Sequence, residues 1–274
     1  MNDTFSFLRF GLLIKKFTKE HAVTYLLYAA AAFGILFLIY GLTVLGVLHG
    51  RFPQDAAVIY FMGGSIFGSC LFSAAFYGFF QNHAKGVQYL NLPASHTEKL
   101  LLGFLFTQVI FFISFVAVFF LVDQVMCGLY NQFHIMPTNV TPEYIPLYHA
   151  KPMNFGDPMV TGSFTVALIL SAICHLGSLG FEKHAFVKTA LLILVIGAVL
   201  MYANFFFMRS MIPEESMPGG MFYSKSLRIG ANDAIKGIVF LPKSWTSFLY
   251  WFIPGMLYLL FWLSAYFKLK EKQI

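Results

Sequence analysis

The sequence predicts an all-α membrane protein with six transmembrane helices, an N-terminal amphipathic interfacial helix and a long outer loop before the last span. Only 11% of its 274 residues are charged, whereas 58% are hydrophobic. A soluble domain normally carries about 25% charged residues. A chain with so few charges cannot cover its surface with polar groups, so most of that surface is expected to face lipid, and the membrane bundle is the single folded domain.

Six apolar stretches are long enough to cross a bilayer, which takes about 20 residues for about 30 Å of hydrocarbon. Their predicted bounds are Val23–Leu48, Ala56–Phe80, Leu100–Val122, Met159–Phe181, Thr189–Met208 and Ser247–Phe267. The second and fourth are rich in Gly, Ala and Ser, which let helices approach closely, so these two are expected inside the bundle. The chain then divides into an N-terminal segment (1–22), a six-span domain (23–267) and a basic tail (268–274).

The N-terminal segment has the pattern of an amphipathic helix. One third of its helical wheel is apolar, carrying Phe7, Phe10, Leu13, Ile14 and Phe17. The opposite side carries the basic residues expected to anchor it at lipid headgroups, which are Arg9, Lys15, Lys16 and Lys19. Such a helix is expected to lie in the membrane interface. It is either a plain anchor or an elbow that also touches a cytoplasmic partner.

The distribution of Lys and Arg predicts the orientation. Eleven of the 18 lie on the side of the two termini and seven on the other side, so the positive-inside rule puts both termini in the cytoplasm. Two long loops, at about 123–158 and 209–245, are then outside. Within the second, Asn232–Leu241 opens with an Asn-Asp cap and is predicted to form a short amphipathic or re-entrant helix.

The loop between spans two and three is the most informative segment. Leu92-Pro93 breaks the helix, and Ser95 with Glu98 three residues later predicts a capping box that starts span three. The preceding residues form an apolar patch predicted to lie exposed at the cytoplasmic surface, made of Val87, Tyr89, Leu90 and Leu92. An exposed apolar patch indicates a binding partner, although a simple cap and turn would explain the same residues.

The run Tyr89-Leu90-Asn91-Leu92-Pro93-Ala94-Ser95-His96-Thr97-Glu98-Lys99 resembles the LP-(A/V)-S-x-x-E-K segment of ABC type-2 exporter permeases, particularly a group common in Bacteroidetes. The resemblance implies a multi-pass subunit of the bacterial inner membrane, paired with a second permease as a homo- or heterodimer on cytoplasmic ATPase subunits. It also implies that the loop couples to the ATPase, through Val87, Tyr89, Leu90, Leu92, Pro93, Ser95, Glu98 and Lys99. ATP and Mg²⁺ would then be bound by the partner ATPase.

The sequence offers no residues for chemistry of its own. It has no G-x-x-x-x-G-K-[ST] phosphate-binding loop and no H-E-x-x-H zinc motif, so we predict no catalytic, cofactor-binding or metal-binding residues and no enzyme activity. The three cysteines lie far apart in apolar stretches, where cysteine acts as a small hydrophobe. The net charge of +6 is interpreted as a basic fringe facing anionic lipid rather than nucleic acid.

Two ionisable residues lie in or near the spans, where charge is costly. His175 is a candidate polar site inside span four, either hydrogen-bonded to a neighbouring helix or acting as a proton relay or substrate contact. Asp123 is predicted only to mark the outer end of span three. The expected absence of buried mid-span carboxylates disfavours an ion-coupled carrier.

These observations predict the membrane-spanning permease subunit of an ABC exporter, working by alternating access and driven by a separate ATPase subunit. A non-transporting membrane scaffold or assembly factor is an alternative from a different class. An ion-coupled carrier or channel is a third.

Overall fold

The computed structural model describes residues 5–81, 83–135, 148–181, 184–211, 226–229, 237–240 and 243–272. Its helices are α1 (Phe7–Gly46), α2 (Gln54–Phe76), α3 (His83–Leu90), α4 (His96–Phe104), α5 (Phe111–Phe133), α6 (Pro158–Gly180), α7 (Ala185–Met211) and α8 (Lys243–Glu271). A 3₁₀ turn at Gly78–Gln81 precedes α3, and a π-helical segment at Leu105–Ile110 joins α4 to α5. Two short strands are β1 (Ser226–Ile229) and β2 (Gly237–Phe240).

The described part of the chain has six helices long and apolar enough to cross a membrane. They are α1, α2, the α4–α5 stretch His96–Phe133, α6, the Ala185–Ala203 part of α7 and the Trp251–Glu271 part of α8. Because lipid offers no partner for backbone polar groups, continuous helices of this kind are what a membrane-spanning chain requires. The predicted all-α membrane protein with six spans is confirmed.

The N-terminal segment and span one form one uninterrupted helix. Where the sequence predicted an interfacial helix ending near residue 22 and a separate span from Val23, α1 runs for 40 residues without a break. The junction contains neither Gly nor Pro, so nothing there interrupts the backbone hydrogen bonds. The predicted apolar face is present, but it packs on protein: Leu13 and Phe17 are buried, with Phe10 and Ile14 beside them, whereas Phe7 is exposed.

Span three extends further than predicted, because α5 ends at Phe133 rather than near Val122. Asp123 is therefore enclosed in the bundle, with 2% of its surface exposed. Its carboxylate accepts hydrogen bonds from the Tyr40 hydroxyl and from the Met153 backbone N–H, each at 2.7 Å. The sequence assigned Asp123 only to the outer end of span three and did not predict that its carboxylate is buried and bonded to two other segments of the chain.

The second long loop contains two paired β-strands, the second of which overlaps a predicted helix. Strands β1 and β2 pair antiparallel, with Ser226 opposite Phe240 and Ile229 opposite Gly237. The end of the predicted Asn232–Leu241 helix therefore lies in β2, whose residues Ile238, Val239 and Phe240 are β-branched or aromatic and favour strands. Residues 230–236 lie outside the described part of the chain.

Helices α2 and α6 form the centre of the bundle, and they pack on each other more extensively than any other pair of helices. Their shared surface is small and polar, and most of its buried serines bond to backbone carbonyls three residues earlier, as Ser163 does to Val160 at 2.7 Å. Small residues allow this close approach, which confirms the expected central position of these two spans. In contrast, only 6% of the residues in the apolar 18-residue stretch of α1 are buried within the protein.

Two clusters of buried side chains fill the two ends of the bundle. One cluster lies around Tyr40, Phe61, Phe119 and Tyr130. The other brings the start of α1 and the end of α8 together with α3 and α4, through Leu13, Phe17, Tyr89, Leu102 and Leu269. We call the end of the bundle at this second cluster the terminal face, because the start of α1 and the end of α8 lie there. The segment singled out by its sequence is part of this face.

Candidate functional site at the terminal face

The predicted capping box at the start of span three is present. The Ser95 hydroxyl accepts a hydrogen bond from the Glu98 backbone N–H at 3.2 Å, and Glu98 Oε2 accepts one from the Ser95 N–H at 3.0 Å. These two bonds satisfy backbone donors that the first turn of a helix leaves without a partner. The spacing of Ser95 and Glu98 therefore predicted both the start of α4 and its stabilisation.

Glu98 also joins the start of α1 to the start of α4. Its Oε1 accepts hydrogen bonds from the Ser6 backbone N–H at 2.8 Å and from Arg9 Nη2 at 3.1 Å. Ser6 is the N-cap of α1, so a single carboxylate receives donors from the first turns of two helices, where the helix dipole favours negative charge. Glu98 is fully buried while Arg9 remains one-third exposed.

Lys99 anchors the end of α3. Its Nζ donates a hydrogen bond to the Leu90 carbonyl at 2.7 Å and lies 5.9 Å from the centre of the Tyr89 ring. Leu90 is the last residue of α3, so the ammonium lies where the helix dipole favours positive charge. Lys99 is fully buried. The motif pair Glu98-Lys99 thus connects α4 to α1 on one side and to α3 on the other.

Tyr89 is buried within this chain, with 7% of its surface exposed. Its ring packs 4.6 Å from the ring of Phe79 and 6.2 Å from that of Tyr77, and its hydroxyl lies 3.5 Å from the Lys99 carbonyl. Burial raises the pKa of the Tyr89 hydroxyl well above its usual range, so the group stays protonated and can donate.

The predicted exposed patch of four apolar residues is therefore wrong as a set. Tyr89 faces inward, Leu90 is half-buried, and Leu92 packs against the terminal-face cluster. Val87 is exposed over 43% of its surface. The apolar pattern was interpreted as a surface for a partner, but most of it forms the protein's own core, because Tyr89 packs on the aromatic rings that follow span two.

One face of α3 and the turn after it remains open to a partner. Val87, Gln88, Asn91 and Pro93 are exposed there. At 3.6 residues per turn, Val87, Gln88 and Asn91 share one side of α3, opposite to the inward side of the helix. Ser95, Glu98 and Lys99 are buried behind them and hold this face in position.

The four bases of the predicted interfacial anchor have different environments. Arg9 forms the ion pair with Glu98, and Lys16 lies 3.8 Å from Glu20 one helical turn further on. Lys15 and Lys19 are exposed. The prediction placed all four at lipid headgroups, whereas in the structure Arg9 also holds the start of α1 against α4.

His175 is fully buried on α6, close to the terminal face. Its ring packs 4.5 Å from Trp262, 4.9 Å from Tyr77 and 5.7 Å from Phe76. In the described part of the chain neither ring nitrogen has a hydrogen-bond partner, so the predicted bond to a neighbouring helix is not formed. Gly103 allows the close approach of the ring, because a Cβ there would lie 2.7 Å from His175 Cε1.

Two buried polar pairs were missed by sequence reasoning. Gln108 Nε2 donates to Ser171 Oγ at 2.9 Å between the π-helical segment and α6, and Tyr40 bonds to Asp123 between α1 and α5. Polar side chains inside apolar runs are the signal that could have found them. Their pairing depends on which helices are neighbours, which the local pattern does not contain.

The described residues contain no group of three or more His, Cys, Asp or Glu side chains that could hold a metal ion. At the terminal face, buried Lys99 bonds the start of α4 to the end of α3, and buried Glu98 bonds it to the start of α1. Comparisons with protein-family models, with curated proteins and with solved structures found no match to this chain.

Proposed function

We propose that the protein is the membrane-spanning permease subunit of an ABC exporter, and that a separate ATPase docks on the exposed face of α3. The observation that carries the proposal is the position of the L-P-A-S-x-x-E-K segment. It directly follows the short helix α3 at the terminal face and caps the start of α4, on the side of the chain richer in Lys and Arg. The resemblance of this segment to exporter permeases supports the same function.

The contacts of Glu98 and Lys99 would let such a helix transmit movement. A force applied to α3 by a partner reaches α4 through the Lys99–Leu90 bond and reaches α1 through the Glu98 bonds to Ser6 and Arg9. Charge-assisted hydrogen bonds are about twice as strong as neutral ones, so these contacts suit the transmission of movement between helices. ATP hydrolysis in a partner could then reorient α1 and the α4–α5 span together.

The docking surface of this proposal is the face with Val87, Gln88, Asn91 and Pro93. The buried residues Tyr89, Ser95, Glu98 and Lys99 support it from within the chain. The partner therefore contacts a set of residues that differs from the apolar residues of the sequence prediction. Val87 is the best anchor in this set, because it is a large apolar side chain that α3 leaves exposed.

The test is purification of the tagged chain in mild detergent from its native host, with identification of a co-eluting ATPase by mass spectrometry. We expect Val87→Asp to lower the recovered ATPase about tenfold, since burying a valine contributes about 1.5 kcal/mol. Yield and thermal stability of the variant should stay unchanged, because Val87 is exposed. Leu8→Asp is the matched control: Leu8 is 74% exposed in the first turn of α1, and ATPase recovery should not change.

Tyr89→Ala separates docking from folding. Removing a buried aromatic ring costs about 3 kcal/mol, so this variant should lose thermal stability and yield, whereas Val87→Asp should not. Wild-type ATPase recovery with Val87→Asp would remove α3 from the interface. A wild-type chain that co-elutes with no ATPase would contradict the exporter proposal and support the scaffold alternative.

A further inference from the structure

A groove runs along one side of α1 near the terminal face. Its wider part consists of two adjoining cavities of about 270 and 490 Å³, both lined by His21, Phe79 and Lys85. A narrower cavity of about 100 Å³ continues it deeper into the bundle and shares Tyr25, Tyr28 and Phe72 with its neighbour. The three together form one path along α1, which is lined on the other side first by the 3₁₀ turn and α3 and then by α2 and α5.

The mouth of the groove is basic. Lys16 and Lys85 line it, together with His21 and a single acidic residue, Glu20. Glu20 is within 3.8 Å of Lys16, while Lys85 is exposed and has no ion-pair partner among the described residues. His21 Nδ1 lies 3.1 Å from the Phe17 carbonyl; because that oxygen only accepts, Nδ1 carries the proton. The charge in excess at the mouth is positive and is centred on Lys85.

The deeper part of the groove is apolar and narrow. Its walls are Tyr25, Ala29 and Ala32 on α1 and Phe72, Phe111 and Val118 opposite. From His21 at the mouth to Ala32 at the far end is about 17 Å at 1.5 Å per residue, close to the thickness of one leaflet of a hydrocarbon core about 30 Å thick. A cavity of about 100 Å³ is too small for a helix, which is about 10 Å across, and its apolar walls suit a hydrocarbon chain.

We infer that this groove binds one anionic phospholipid of the surrounding bilayer. The phosphate lies at Lys85, with Lys16 and His21 beside it, and one acyl chain follows Tyr25, Phe72 and Ala32 toward the middle of the membrane. Basic residues at a membrane surface attract anionic lipid, and the apolar walls exclude a water-soluble ligand from the far end. The inference uses only the membrane position of the helices and holds with or without an ATPase partner.

Native mass spectrometry of the purified chain tests this inference. The protein in detergent is titrated with phosphatidylglycerol or with phosphatidylcholine of the same acyl chains, and the fraction carrying one bound lipid is measured. Wild type should retain phosphatidylglycerol preferentially. Lys85→Gln should lower that binding about fivefold, the effect expected of one lysine at an anionic surface. Lys270→Gln, which removes an exposed charge near the end of α8, is the control and should not change it.

A second variant tests the acyl path separately. Ala32→Phe places a ring at the narrow end and should lower the binding of both lipids, whereas Lys85→Gln should affect only the anionic one. Equal retention of the two lipids by wild type, with no effect of Lys85→Gln, would mean that the lipids are only a non-specific shell. A dimer that must dissociate before any lipid binds would mean that a second copy of the chain covers the groove. Either result overturns the inference.

Discussion

At the scale of single residues, Glu98 accepts hydrogen bonds from two helices that are far apart in the chain. Its bond to Ser95 was predictable, because a capping box needs only two residues three positions apart. Its bonds to Ser6 and Arg9 were not, since they span 92 and 89 positions. Arg9 had been assigned to the lipid headgroups because a basic residue on an amphipathic helix normally lies there.

The environment of Glu98 leads to a stability prediction. Glu98→Gln keeps the shape of the side chain but removes the charge that pairs with Arg9, and it exchanges one acceptor oxygen for a donor amide. We expect a loss of about 2 kcal/mol in the free energy of unfolding, as for a hydrogen bond to a charged group. Unfolding of the detergent-solubilised protein, followed by circular dichroism, measures it.

The matched control for this prediction is Glu20→Gln. Glu20 pairs with Lys16 on the same helix, but both side chains are about half exposed, so the change should cost less than about 0.5 kcal/mol. Equal losses in the free energy of unfolding for Glu98→Gln and Glu20→Gln would show that the buried Glu98 contacts stabilise the protein no more than an exposed ion pair does.

At the scale of helices, the main departure from expectation is the continuity of α1. The amphipathic pattern ends near Glu20 and a fully apolar run begins near Val23. The sequence pattern therefore predicts two segments with different surroundings. A change of surroundings does not break a helix, however, because each backbone hydrogen bond joins a residue to the one four positions earlier, whatever their side chains face. The pattern predicted the buried positions of Leu13 and Phe17 but not the exposure of Phe7. The absence of Gly and Pro at the junction was the signal for the continuity of α1.

Val23→Pro tests that continuity. Val23 is 73% exposed, so side-chain packing contributes little, but proline inside a helix removes a hydrogen bond and clashes with the preceding turn at a cost of about 3 kcal/mol. We expect a lower midpoint of thermal unfolding for Val23→Pro and nearly wild-type stability for Val23→Ala. If α1 were two helices joined by a hinge at this point, the proline would be tolerated.

At the scale of the whole molecule, the six spans were predictable from apolar length alone, because lipid imposes the same requirement on every crossing segment. The central position of α2 and α6 was predictable from their small residues. The burial of Tyr89 against Tyr77 and Phe79 was not, since it depends on how α3 packs on the end of span two. Apolar side chains at the end of a span have the same pattern whether they face a partner or their own chain.

The orientation of the molecule is a prediction that cysteine labelling can measure. Val87→Cys at the terminal face and His149→Cys at the opposite face are both exposed positions, whereas Ser95 is buried and would give no signal from either side. With the terminal face in the cytoplasm, a membrane-impermeant maleimide should label His149→Cys in intact cells. It should label Val87→Cys only after the membrane is opened.

The native cysteines provide the background for that measurement. Cys70, Cys127 and Cys174 are all buried, so the wild-type chain should label weakly under both conditions. Labelling of Val87→Cys in intact cells would reverse the orientation and put the proposed docking face on the wrong side of the membrane for an ATPase.

The contact between Ser6 and Glu98 has a consequence for synthesis in the cell. When α1 leaves the ribosome and enters the membrane, the residue that receives its first backbone N–H has yet to be translated. The start of α1 therefore lacks its carboxylate partner, Glu98, while span two is inserted and α3 is translated. Membrane insertion and final assembly are thus separate events at this end of the chain, and the arrival of span three is what joins them.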